Sequence, residues 1–137
     1  MRLDPMTVHE DSSAGWGDAA KIVEIRTTFA SRELAEACAD RLVAGRLAAC
    51  VQVDGPVRSI YRWRDAVEAA VEFRCTCKTT RDVADACIEA ISRGHDYETP
   101  EVIVAVVSAS AAYAAWVRES VRDRSSDRTA ASGGGEP

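Results

Sequence analysis

Between Ala66 and Thr79 the chain alternates with a period of two. Val71, Phe73, Cys75 and Cys77 stand on one side, and Glu72, Arg74, Thr76 and Lys78 on the other. Successive side chains of a strand point to opposite faces, so this run predicts a strand with one apolar and one charged face. A second extended run, from about Leu47 to Ile60, precedes it, and Tyr61-Arg62-Trp63-Arg64-Asp65 leads through a turn between the two. Gly55-Pro56 interrupts the earlier run. It predicts a bend or bulge, which belongs on an edge strand rather than a flat central one.

The remaining patterns fit around this pair. Val23, Ile25, Thr27 and Phe29 alternate within a first strand, Ile22 to Phe29. Leu34, Cys38 and Leu42 then recur every four residues, with Ala37 widening the stripe, so the spacing predicts a helix from about Arg32 to Ala44. Ser31 is placed to cap it and Gly45 to stop it. Thr80 is placed to cap a second helix whose inner side carries Val83, Cys87, Ala90 and Ile91 and which Gly94 ends. A last strand covers Val102–Val107. A short helix follows Ser110, with Tyr113, Trp116 and Val117 on one side. The order β-α-β-β-α-β is that of the ferredoxin-like α+β sandwich, here with an added C-terminal helix. Right-handed crossovers put both main helices on one sheet face and leave the other face bare in a single chain. Such a face predicts association.

Residues 1–20 and 122–137 bury too little apolar surface to offset ordering and are expected to be disordered tails around one domain at 21–121. The 17 Lys and Arg against 22 Asp and Glu, a net charge of −5, leave no dense basic stripe, so nucleic-acid binding is not expected. No apolar run is long enough to span a bilayer, so direct membrane insertion is not expected either. No apolar leader is evident. Five cysteines, an odd number set in apolar patterns, then suggest a reducing cytoplasm.

Five strings, taken together and in order, resemble the CutA1 family of divalent-cation tolerance proteins. They are Leu47-Ala48-Ala49-Cys50-Val51, Ser59-Ile60-Tyr61-Arg62-Trp63, Cys77-Lys78-Thr79-Thr80, His95-Asp96-Tyr97-Glu98-Thr99-Pro100-Glu101 and Tyr113-Ala114-Ala115-Trp116-Val117. The resemblance covers essentially residues 21–121. It implies a homotrimer whose sheets pack about a threefold axis, with a role in tolerance to copper and other divalent cations and no assigned enzymatic reaction. The chain departs from the family in three places. Asp96 follows the histidine where proline is common, Gln52 stands where asparagine is frequent, and Arg26 stands where some members carry cysteine.

Cys50 and His95 are the candidate metal ligands, because thiolate and imidazole suit copper or a similar ion. They lie on separate elements, and only the fold can bring them together. Cys75 and Cys77, two residues apart in a strand, stand about 6.6 Å apart, too far for relaxed ligation of one tetrahedral ion, and are expected in the core. Trp63, Glu72, Lys78, Tyr97 and Glu98 are candidates for a cleft between subunits, and Tyr61, Trp63 and Trp116 for packing at interfaces. No Gly-rich phosphate loop or nucleophile elbow is present, so catalysis and an organic cofactor are not expected. The resulting expectation is a trimer that binds a divalent cation without turnover. The alternative is a signalling or scaffold trimer that takes a small anionic ligand or a protein partner in its clefts.

Overall fold

The computed structural model describes residues 20–122; apart from their inner ends, the expected tails lie outside the described residues. The elements are β1 (Lys21–Phe29), α1 (Arg32–Ala44), β2 (Cys50–Trp63), β3 (Ala66–Thr79), α2 (Arg81–Arg93), β4 (Ile103–Ser108) and α3 (Ala111–Ser120). The four strands form one antiparallel sheet in the order β2-β3-β1-β4, which is the ferredoxin-like arrangement. β2 is an edge strand. Its register slips between Asp54 and Val57, at the Gly55-Pro56 interruption.

Ser31 caps α1, its hydroxyl accepting from the Leu34 N–H, and at the other end the Gly45 N–H donates to the Arg41 carbonyl and the Arg46 N–H to that of Val43. Inside the helix the buried stripe is Ala35, Cys38, Ala39 and Leu42, while Leu34 faces outward. Small residues at 35 and 39 let the helix lie close to the sheet, which turns the larger Leu34 toward solvent. Thr80 makes no side-chain cap on α2, and its hydroxyl instead donates to Asp82 at 2.6 Å.

The main core lies between both long helices and the face of Val23, Ile25, Phe29, Cys75 and Cys77. Burial pushes the Cys38 thiol up and the Cys75 thiol up to about 12. The Cys87 side chain, hydrogen-bonded to Cys77, and burial push the Cys77 thiol up as well. These are unreactive core thiols.

α3 covers part of the opposite face, where Ala114 and Val117 pack on Ile22, Ala49 and Val107. Tyr113 and Trp116 lie against each other with centroids 5.6 Å apart and ring planes tilted by 40°, but remain exposed in the single chain. Ala114 and Val117, rather than the two rings, make the close contact with the sheet.

β1 ends at Phe29, opposite Phe73. Beyond that row β2 and β3 pair only with each other, from Val57↔Glu72 to Trp63↔Ala66. The result is a two-stranded arm projecting past the sheet. Ile60 and Val67 on the arm are 61% and 64% exposed, far more than isolated apolar side chains need to be.

Candidate functional site

The loop between α2 and β4 is built around His95. Its imidazole is fully buried and stacks on Phe29, with centroids 4.3 Å apart and ring planes at 13°. The Tyr97 N–H donates to Nδ1 at 3.1 Å. A nitrogen that accepts in this way leaves Nε2 to carry the ring proton, and Nε2 lies 3.1 Å from the Thr27 hydroxyl. Thr27 is itself fully buried on the apolar face of β1, so His95 supplies the partner a polar group needs there. Asp96 sits beside the ring, one carboxylate oxygen 3.5 Å from Nδ1.

Tyr97 ties this loop to the base of the arm. Its hydroxyl donates to Glu72 at 3.0 Å, and burial followed by that hydrogen bond pushes the phenol up to about 12. Glu72 and Tyr97 are therefore brought together as a neutral donor on a carboxylate. Glu98 lies exposed on the same loop.

Lys78 belongs to a different cluster. Its ammonium donates to Glu24 at 2.9 Å, and both side chains are only 17% exposed. Arg26 reaches the other oxygen of Glu24 at 3.4 Å. The hydrogen bond from Lys78 holds the Glu24 carboxyl below the usual carboxylate range. A lowered folded-state value stabilises the protein above the unfolded value and loses that contribution as pH falls through the folded one. Glu24→Gln should therefore cost about 1 kcal/mol near neutral pH, a cost that vanishes in acid. Chemical denaturation of both proteins across this pH range checks it, and a pH-independent difference would refute it.

Cys50 is opposite Lys78, which is opposite Glu24, so the half-buried thiol shares their row and the face away from the two long helices. His95 packs on the other face, three to five residues further along β1. At about 3.3 Å per residue that is on the order of 10 Å or more, with the sheet between. Cys50 and His95 are not brought together, and both ring nitrogens of His95 already have partners. This pair does not fit a metal ion held within one chain. Among the described residues no cluster of three or more His, Cys, Asp or Glu side chains could hold one.

Tyr61 donates to Glu68 at 3.4 Å along the exposed arm, and the Arg64 guanidinium lies 5.5 Å from the Trp63 ring centroid. The expected cleft residues thus divide into three places: Glu72, Tyr97 and Glu98 at the loop, Lys78 in the ion-pair row, and Trp63 at the arm tip. Thr27, Phe29 and Glu24 were missed as partners. The one sequence signal was Thr27, a polar residue in an otherwise apolar strand face.

A split β-α-β-β-α-β sheet with a C-terminal helix, an overlong hairpin and a His-x-Tyr loop folded onto its base together define the fold of the divalent ion tolerance proteins. Residues 23–120 match the family described as "CutA1 divalent ion tolerance protein", and the chain belongs to that family. It is 34% identical over 93 residues to the divalent-cation tolerance protein CutA of Thermus thermophilus, covering 67% of this chain and 90% of that protein. It is 28% identical over 102 residues to the Arabidopsis thaliana "Protein CutA, chloroplastic", covering 74% of this chain but only 56% of that longer protein. The solved structure of CutA from Synechococcus elongatus superposes with a TM-score of 0.71 at 33% identity, over 75% of this chain and 92% of that one.

Proposed function

We propose that the chain acts in divalent-cation tolerance as a non-catalytic homotrimer, and that it binds copper or a similar divalent cation at positions completed between subunits. What supports this is the face that α3 only partly covers. Among the described residues Cys50 is the one soft candidate ligand on that face and has no second soft donor beside it, so further donors would come from a facing subunit. The charges there pair within the chain, Lys78 with Glu24 and Arg74 with Asp54, so the face can be buried without leaving an isolated ion. His95 serves as a structural residue. No helix among the described residues is long and apolar enough to cross a membrane, and five unpaired thiols fit a reducing cytoplasm.

Light scattering of dilute reduced protein should give three chains per particle. Copper titration of that particle should saturate at a fixed stoichiometry, which Cys50→Ser abolishes and His95→Ala, kept at a temperature where it is folded, retains. Unchanged binding in Cys50→Ser would replace this reading with surface adsorption, and cation tolerance would then be indirect, through a partner held by the trimer.

A further inference from the structure

His95 holds its loop in a form that requires a bare Nδ1. That nitrogen accepts from the Tyr97 N–H at 3.1 Å, and one oxygen of Asp96 lies 3.5 Å from the same nitrogen. Two groups thus compete for one position: an N–H that needs a lone pair there, and a carboxylate that needs a proton there. We propose that the loop of residues 95–101 is a proton-operated latch, in which a proton taken from solvent onto Nδ1 moves the ring's hydrogen bond from the Tyr97 N–H to Asp96 and frees the loop from the base of the arm.

Histidine is the side chain whose charge ordinarily changes between about pH 5 and 8. The charged ring would keep good partners. Nε2 retains its proton and its place 3.1 Å from the Thr27 hydroxyl. Nδ1–H gains a charge-assisted hydrogen bond to the Asp96 carboxylate. Phe29, stacked at 4.3 Å, offers its ring face to the cation. The Asp96 side chain is 39% exposed, so solvent protons reach the side of the ring on which Nδ1 lies.

What acid removes is the acceptor of the Tyr97 N–H, and an amide without a partner is driven to turn toward water. Tyr97 is also the side chain that reaches the arm. Its ring centroid lies 5.0 Å from that of His95, and its hydroxyl donates to Glu72 at 3.0 Å. The start of the loop does not move with it, because the His95 N–H donates to the Ser92 carbonyl at 3.4 Å whatever the charge of the ring. The closed form holds no proton on Nδ1 and the released form holds one, so acid favours release and neutral pH restores closure.

The charges around the ring favour this exchange. From β1 it meets Thr27 and Phe29, neither of which changes charge. From β3 it meets Glu72, through Tyr97. From α1 comes the Arg41 guanidinium, which lies against Gly94. From α2, Arg93 is taken up by Glu89 at 2.6 Å. On the loop itself, Glu98 is exposed and Asp96 stands at the nitrogen. An opposite charge at that distance favours the protonated ring.

Nitrogen–proton spectra of the full chain, taken from about pH 7.5 down to about pH 5, read ring and loop together. The Nδ1 signal reports the ring proton. Exchange of the Tyr97 amide, corrected for its intrinsic rate at each pH, reports the latch. Protection of that amide should fall about tenfold in step with the proton arriving on Nδ1. Asp96→Asn keeps a side chain of the same shape at a half-exposed position, and should move the step about one pH unit lower. Glu72→Gln keeps an acceptor for the Tyr97 hydroxyl and should leave the step in place. A ring that takes the proton while Tyr97 stays protected overturns the latch, as does a ring that stays unprotonated until the protein unfolds. A step lost in Glu72→Gln assigns the response to that carboxylate and overturns the role of His95. A step unmoved in Asp96→Asn overturns the exchange of partners.

Discussion

Replacing Gly55 with alanine should destabilise the protein by about 3 kcal/mol and disturb the arm. Gly55 has φ of 150°, a region that side chains rarely adopt. An added Cβ would lie 2.7 Å from Phe73 Cδ1, 3.0 Å from the Glu72 carbonyl oxygen and 3.2 Å from Phe73 Cα. Two of those three atoms are backbone of the paired strand and cannot turn aside. The third belongs to a ring that cannot easily retreat either, because the Arg32 guanidinium stands 4.9 Å from its centroid while also donating to the Gly55 carbonyl at 3.1 Å. The strain would therefore spread into the register slip that sets the direction of the arm. The urea midpoint should fall and the fraction of assembled protein should fall with it. An alanine variant with the wild-type midpoint would show that the β2–β3 contact is looser than described.

His95→Ala should cost about 3 kcal/mol as well, for a different reason. The substitution removes a fully buried ring from its stack on Phe29, empties that volume, and leaves the Thr27 hydroxyl and the Tyr97 N–H without their partners. Unsatisfied buried polar groups add to the cavity cost. Because Tyr97 in turn holds Glu72, the loop should also loosen from the base of the arm. Denaturant unfolding should show the lower midpoint, and hydrogen exchange should show faster opening at residues 95–101 before global unfolding. A His95→Ala protein as stable as wild type, but unable to bind metal, would make the imidazole a ligand rather than a structural residue.

The two predictions concern residues whose importance was legible to different degrees. Gly55-Pro56 in the middle of an extended run signals a bulge by backbone chemistry alone, and the register slip occurs there. The close approach of Phe73 is a tertiary fact, since it depends on which β3 residue faces the break. His95 stood out as an imidazole in a stiff polar link, but whether it offers a lone pair or packs as a ring depends on what surrounds it. Phe29 and Thr27, over sixty positions away in sequence, decide that. Cys50 and His95 both offered donors suited to a copper-like ion, and the sheet that separates them follows from strand pairing, which no local pattern encodes.

Side-chain periodicity determined a great deal by itself: four strands, two long helices and a short third, and the thiols of Cys75 and Cys77 facing the core; the Gly55-Pro56 break added the edge position of β2. These follow from local rules, because alternation and the helical repeat are properties of adjacent residues. Tertiary structure decided what is non-local. It paired Lys78 with Glu24, turned Leu34 outward because Ala35 and Ala39 pack closer, set Ala114 rather than Trp116 against the sheet, and buried His95 between β1 and its own loop. Each of these outcomes is a competition among distant groups for the same space or the same proton, and such competition is settled only when the elements meet.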